Sequence, residues 1–210
     1  MKKGLLVTFE GIDGSGKTTQ IRKFIEKLEQ SAIPFILVRE PGGTEIGEKV
    51  RDILLDISNK EMFGETELLL YSASRFQLTC QTIIPALEEG KVVVCDRFYD
   101  STTAYQGFGR GIDPEFIRRL NGFATQSLAP DLTIVLDVSL DERMHRIHSK
   151  DMDRLETEHS SFQQKVRDGF RKIAEQESQR AVLIDGALPV EEISEIVWSQ
   201  FEKKREGIQE

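Results

Sequence analysis

Residues 11–18 read GIDGSGKT, which sets Gly11, Gly16, Lys17 and Thr18 at the spacing GxxxxGKT. Glycines at such positions let backbone N–H groups turn inward around an anion, where a side chain would collide with it. Lys17 brings a point charge suited to the β- and γ-phosphates of a nucleoside triphosphate, and the Thr18 hydroxyl is a ligand for Mg2+. Ile12, Asp13, Gly14 and Ser15 complete the cradle. A helix opening at about Lys17 directs its positive end at the same anion. The chemistry is that of a P-loop holding Mg-ATP. A dinucleotide-binding turn fits poorly, because Thr19 stands where its third glycine belongs.

Asp96 and Arg97 close an apolar run, at the kind of strand end where ligands sit in an open α/β sheet. Asp96 there reads as a second partner for the magnesium shell, and Arg97 as a phosphate clamp. A GTPase switch is excluded by its missing signals. The nearest strings to DxxG and NKxD are Asp96-Arg97-Phe98-Tyr99 and Asn59-Lys60-Glu61-Met62, and neither fits. Tyr71 and Arg75 lie one helical turn apart and share a face; on their own they read as a core aromatic and a solvated arginine. His145 and His148 have no carboxylate or metal-ligand company and read as solvated.

The elements that must position these residues follow from hydrophobic pattern. Short apolar runs at 5–9, 34–38, 91–95, 132–138 and 181–185 read as strands buried on both faces. Ile21, Phe24, Ile25 and Leu28 mark an amphipathic helix over 17–30, and longer helices are expected over 66–89 and 158–178. Strand and helix alternate, so the expected fold is an α/β, P-loop NTP hydrolase-like three-layer sandwich around a parallel sheet of about five strands. No repeat or linker divides residues 1–210, which read as one P-loop domain with a polar, cation-bearing lid at about 141–159. The charged tail 202–210 is expected to fray.

Composition narrows the partners. The chain has 210 residues and a formal net charge of −8, which argues against nucleic acid or an anionic membrane as partner. Cys80 and Cys95 show no ligand spacing and read as buried, reduced thiols. The apolar run at Leu5–Phe9 is too short for a signal or a span, so the expected location is cytoplasmic.

Five blocks then resemble the thymidylate kinase family: FEGIDGSGKTTQ at 9–20, REPGGTEIG at 39–47, LLLYSASR at 68–75, DRFYDSTTAYQG at 96–107 and DRLE at 153–156. The resemblance implies a kinase that moves the γ-phosphoryl group of ATP to dTMP, with Mg2+ as cofactor and a homodimeric assembly. It implies that Arg97 holds the acceptor phosphate, that Asp13 reaches the acceptor 3′-hydroxyl, and that Tyr71 stacks on thymine beside Arg75. Arg39 falls at the mouth of the second strand, while Thr102, Tyr105 and Gln106 carry over as base- and sugar-facing residues. Arg143 resembles a residue that packs on adenine. Another nucleoside monophosphate as acceptor, or a non-catalytic ATP-binding regulator, stays open from the residues alone.

A phosphate nucleophile is ionised at neutral pH, so such a reaction needs no general base. What it needs is cation: Lys17, Arg97 and a mobile lid arginine. The P-loop lacks an internal basic residue, which resembles the bacterial class whose catalytic arginine comes from the lid. Arg146, Lys150 and Arg154 are the candidates, with Arg154 favoured for its place in DRLE.

Overall fold

Runs of consecutive Val, Ile and Leu stay dry only when both faces of a strand are covered. In the computed structural model, which describes residues 4–147, 154, 155 and 157–207, those runs form β1 (Leu6–Glu10), β2 (Phe35–Arg39), β3 (Val92–Asp96), β4 (Leu132–Asp137) and β5 (Ala181–Asp185). All four neighbouring pairs are parallel, in the order β2-β3-β1-β4-β5. Each strand lies within a residue of its expected bounds. The chain winds to one side of β1 through β2 and β3 and to the other through β4 and β5. A crevice therefore opens at the C-terminal ends of the central strands.

Helices cover both faces. On one side α1 (Lys17–Gln30) and α9 (Val190–Glu206) press Ile21, Phe24, Leu28, Val197 and Phe201 onto Val7 and Phe9 of β1. Phe24 sits at the centre, with ring centroids 5.7 Å from Phe9 and 5.1 Å from Phe201. On the other side α8 (Ser160–Gln176) packs Phe162, Val166 and Phe170 near Val135 and Tyr105. A third cluster joins Leu6, Val93 and Cys95 to Leu78, Ile83 and Phe98. Full burial of each such side chain stabilises by about 1.5–3 kcal/mol.

The remaining helices carry the rim of the crevice. Thr44 caps α2 (Glu45–Leu55), its hydroxyl accepting from Gly47 N at 3.0 Å. The helix expected over 66–89 is three joined pieces: α3 (Gly64–Leu78), a π-helical turn (Thr79–Ile83) and α4 (Ile84–Glu88). Pro85 explains the wider turn just ahead of it, since proline cannot donate to the carbonyl four residues back. After β3 come α5 (Tyr99–Thr102), a second π-helical stretch (Thr103–Gly109) and α6 (Pro114–Ala124). Ser139 caps the short α7 (Leu140–Arg146).

Two expectations are corrected here. The tail does not fray at 202, because Phe201 is locked in the core and Lys203, Lys204 and Arg205 complement the negative end of α9, which runs to Glu206. Cys80 is exposed on the first π-helical turn, while Cys95 is buried in β3. Among the described residues no helix is long and apolar enough to cross a membrane.

Candidate active site

Where β1 ends, the chain makes the phosphate loop. Gly11 has φ +134°, and a Cβ there would stand 2.4 Å from the Leu136 carbonyl oxygen. Gly16, at φ +97°, precedes α1, and no side chain among the described residues caps that helix. Its first intrahelical bond runs from Gln20 N to Gly16 O at 3.1 Å. The amides of Lys17, Thr18 and Thr19 thus precede any intrahelical acceptor and form an anion cradle. Lys17 is buried and donates to the carbonyls of Gly11 and Ile12 at 3.0 and 3.1 Å. Burial, and then the charge of Arg97, bring its ammonium down to about 8.

Arg97 faces this loop from the end of β3. Its backbone is left-handed, at φ +67°, and its guanidinium donates to Gly11 O at 2.9 Å, to Ser101 Oγ at 3.1 Å and to the Asp13 carboxylate. Asp13 also accepts from the Tyr105 hydroxyl at 3.2 Å and lies 3.8 Å from Lys17 Nζ. Burial alone would raise the Asp13 carboxyl, but Arg97 and Lys17 overcome it and hold the group below the usual carboxylate range.

The cleft between them has a volume of about 640 Å³. Asp13, Gly14, Gly16, Lys17 and Thr18 line it, together with Asp96 and Arg97. Tyr71, Thr102, Tyr105 and Gln106 also line it, as does Arg39, which is exposed and paired with Glu48 at 2.8 Å. Thr102 Oγ1 and Glu40 Oε1 are buried polar atoms with no hydrogen-bond partner among the described residues, and both residues line the cleft. Such atoms call for a ligand or water. Gly11, Ile12 and Ser15 form the buried underside of the loop.

Besides Gly11, Ile12 and Ser15, three residues expected at the site lie outside the cleft lining. Arg75 is 1% exposed and donates to Glu40 at 2.8 Å, to Asn121 and to the Phe98 carbonyl. Arg143 is buried within α7. Arg154, expected as the catalytic cation, is instead sequestered: it donates to Leu54 O at 3.1 Å and pairs with buried Glu67 at 2.6 Å. The lid arginine at the phosphate loop is Arg146, which donates to Gly186 O at 3.1 Å and Gly14 O at 3.4 Å while paired with Glu142. Residues 148–153 and 156 of the lid, with His148 and Lys150 among them, lie outside the described residues.

Sequence reasoning missed Arg51, which lines the cleft and donates to Pro41 O at 2.9 Å. Its signal was faint: it shares a face of α2 with Leu55, one turn on, which also lines the cleft. It also missed Glu67, which accepts from Gln106 at 2.8 Å and pairs with Arg110 and Arg154.

The family profile described as thymidylate kinase matches residues 9–197 of the chain. The chain belongs to the thymidylate kinase family. The thymidylate kinase of Kosmotoga olearia is 44% identical over 198 residues, covering 94% of this chain and 95% of that one. That of a Thermoanaerobacter species is 48% identical over 184 residues, covering 88% and 90%. Among solved structures, thymidylate kinase from Ehrlichia chaffeensis superposes with a TM-score of 0.71 at 38% identity, covering 87% of this chain and 93% of that one. The sheet order and the cleft described above are therefore those of a thymidylate kinase family member.

Proposed function

We propose that the cleft transfers the γ-phosphoryl group of ATP to dTMP, giving dTDP and ADP. The observation that carries this reading is the meeting of two anion-holding devices in one cleft. The amide cradle with Lys17 faces Arg97, and the same cleft is lined by an aromatic, Tyr71, and by Thr102, whose hydroxyl has no partner among the described residues. Lys17 and the cradle hold the donor phosphates, and Arg97 turns from Asp13 to hold the acceptor phosphate. Asp13, released, accepts from the 3′-hydroxyl of the acceptor sugar. Tyr105 fills the space beside that sugar and disfavours a 2′-hydroxyl. Tyr71 stacks on the base, with Gln106 beside it and Arg75 and Glu40 behind.

Thr18 and Asp96 both line the cleft and are the residues that would hold Mg2+. When bound, the ion neutralises charge on the phosphate oxygens as they crowd together. No residue need take a proton from the nucleophile, so positioning and charge cancellation account for catalysis. Arg146 supplies the lid cation in this account, because it already reaches the phosphate loop. Arg143 braces α7 near the adenine end. Residues 1–210 act as one kinase unit with a lid at about 141–159, in the cytoplasm. A homodimer is supported by exposed apolar residues on α3 and α6, Leu69 and Phe123 among them. Chromatographic detection of dTDP from dTMP and Mg-ATP tests the reading; ATP binding without any dTDP would overturn it.

A further inference from the structure

Glu10, the last residue of β1, is fully buried and does not line the cleft, yet both of its oxygens are bonded to the acceptor wall. Oε1 accepts from Phe98 N at 2.7 Å, and Oε2 accepts from the Ser101 hydroxyl at 2.6 Å. Phe98 immediately precedes the helical segment Tyr99–Gly109 and offers no side-chain cap of its own. A carboxyl from a neighbouring strand therefore takes the capping role at that N-terminus. The segment it anchors carries Thr102, Tyr105 and Gln106. On the other side of Phe98 is Arg97, whose left-handed backbone is unfavourable for any residue with a Cβ and needs surrounding bonds to persist. Ser101 completes the link, since its oxygen also accepts from Arg97.

We propose that Glu10 is a positioning residue for acceptor recognition: its carboxyl locks the Arg97 turn and the Tyr99–Gly109 segment into one geometry. This rests on reading the cleft as a dTMP kinase site. The groups facing Glu10 are Arg97, Ser101, the Phe98 amide and the Asp100 carboxylate, itself held by Arg180 at 2.7 Å. Burial, followed by Asp100, pushes the Glu10 carboxyl up to about 8. The bridge is geometric, one oxygen on each partner, so the reach of the side chain decides whether it forms. Glutamine, of equal length, keeps one bond to each partner; aspartate keeps the charge but falls one methylene short.

The test is steady-state kinetics of the full chain with dTMP and ATP varied separately. Glu10→Gln is expected to keep the dTMP KM within about threefold of wild type, whereas Glu10→Asp raises it at least about tenfold with the ATP KM within about twofold. A merely structural role would move both KM values together. Equal changes for both substrates, no change in Glu10→Asp, or equal damage in Glu10→Gln would each overturn the proposal. If Glu10→Asp does not fold, Ser101→Ala opens the same bridge from the other end and must show the same acceptor-selective rise, or the proposal fails. A wild-type enzyme silent on dTMP would instead bring down the underlying reading.

Discussion

Arg97 and Asp13 form an ion pair in the cleft, and each is tied down from its own side, Arg97 to Ser101 and Asp13 to Tyr105. The two side chains best placed to receive the acceptor thus satisfy one another. A bound monophosphate would exchange Asp13 for its own oxygens on Arg97, and its sugar hydroxyl would replace the partner that Asp13 gives up. On the proposed reading, recognition of phosphate and of sugar would be coupled through this single pair.

Arg97→Ala should therefore damage acceptor use more than donor use. Loss of one preorganised cation in a water-poor site costs about 10²–10³-fold in rate, so kcat/KM for dTMP should fall by about that factor. Affinity for a non-hydrolysable ATP analogue should change little. Unaltered dTMP kinetics would remove Arg97 from the acceptor site.

Lys17→Ala should lower kcat by at least about 10²-fold while the protein stays folded. Its ammonium is buried at a cost visible in its depressed protonation range, so alanine removes a penalty together with two hydrogen bonds. Thermal unfolding beside turnover separates the two effects. Normal turnover would contradict the phosphate-loop assignment.

Arg146 and Arg154 should divide activity from stability. Arg146 is paired with Glu142 on a partly exposed surface, where such a pair contributes roughly 0–1 kcal/mol. Arg146→Ala should lower kcat by roughly 10²-fold with an unfolding midpoint near wild type. Arg154→Ala leaves buried Glu67 short of one partner and should destabilise by about 1–3 kcal/mol in urea titrations. The reverse pattern would restore Arg154 as the lid cation.

Asp13 and Glu10 should tilt the pH dependence of stability in opposite senses. Asp13 is held below its ordinary value of 3.8, so its contribution is present above that pH and is lost as pH falls below it. Asp13→Asn should flatten the acid limb below about pH 4. Glu10 is raised from 4.5 to about 8, so the folded state binds the extra proton and stability declines as pH rises through that window. Glu10→Gln should remove that decline. Denaturant midpoints from pH 3 to 9 measure both slopes.

The strands and the phosphate loop were legible in the sequence because their causes are local. Val92, Val93 and Val94 announce a buried strand without reference to anything distant, and GIDGSGKT fixes its own backbone. Tyr71, Thr102, Tyr105 and Gln106 were legible through resemblance and do line the cleft. Arg75 and Arg154 show what was not. Helical spacing puts Arg75 on the Tyr71 face, but its position depends on Glu40, thirty-five residues away in sequence. Arg154 likewise lies in a matching block, yet its partners Leu54 and Glu67 come from α2 and α3. A buried carboxylate that recruits a distant partner leaves no periodic signature, so neither Glu67, paired with Arg154, nor Glu10, bonded to the Phe98 amide and Ser101, stood out. Arg146 needed the fold to show that α7 lies against the phosphate loop.

The most direct test of the central claim is ADP release from Mg-ATP by the purified protein, measured separately with dTMP, dUMP, UMP, dCMP, AMP and GMP. Release with dTMP should lie far above that with every other acceptor and should be lost in Lys17→Ala. Preference for another monophosphate would contradict the roles given to Tyr71 and Tyr105, and silence with all six would contradict phosphoryl transfer itself.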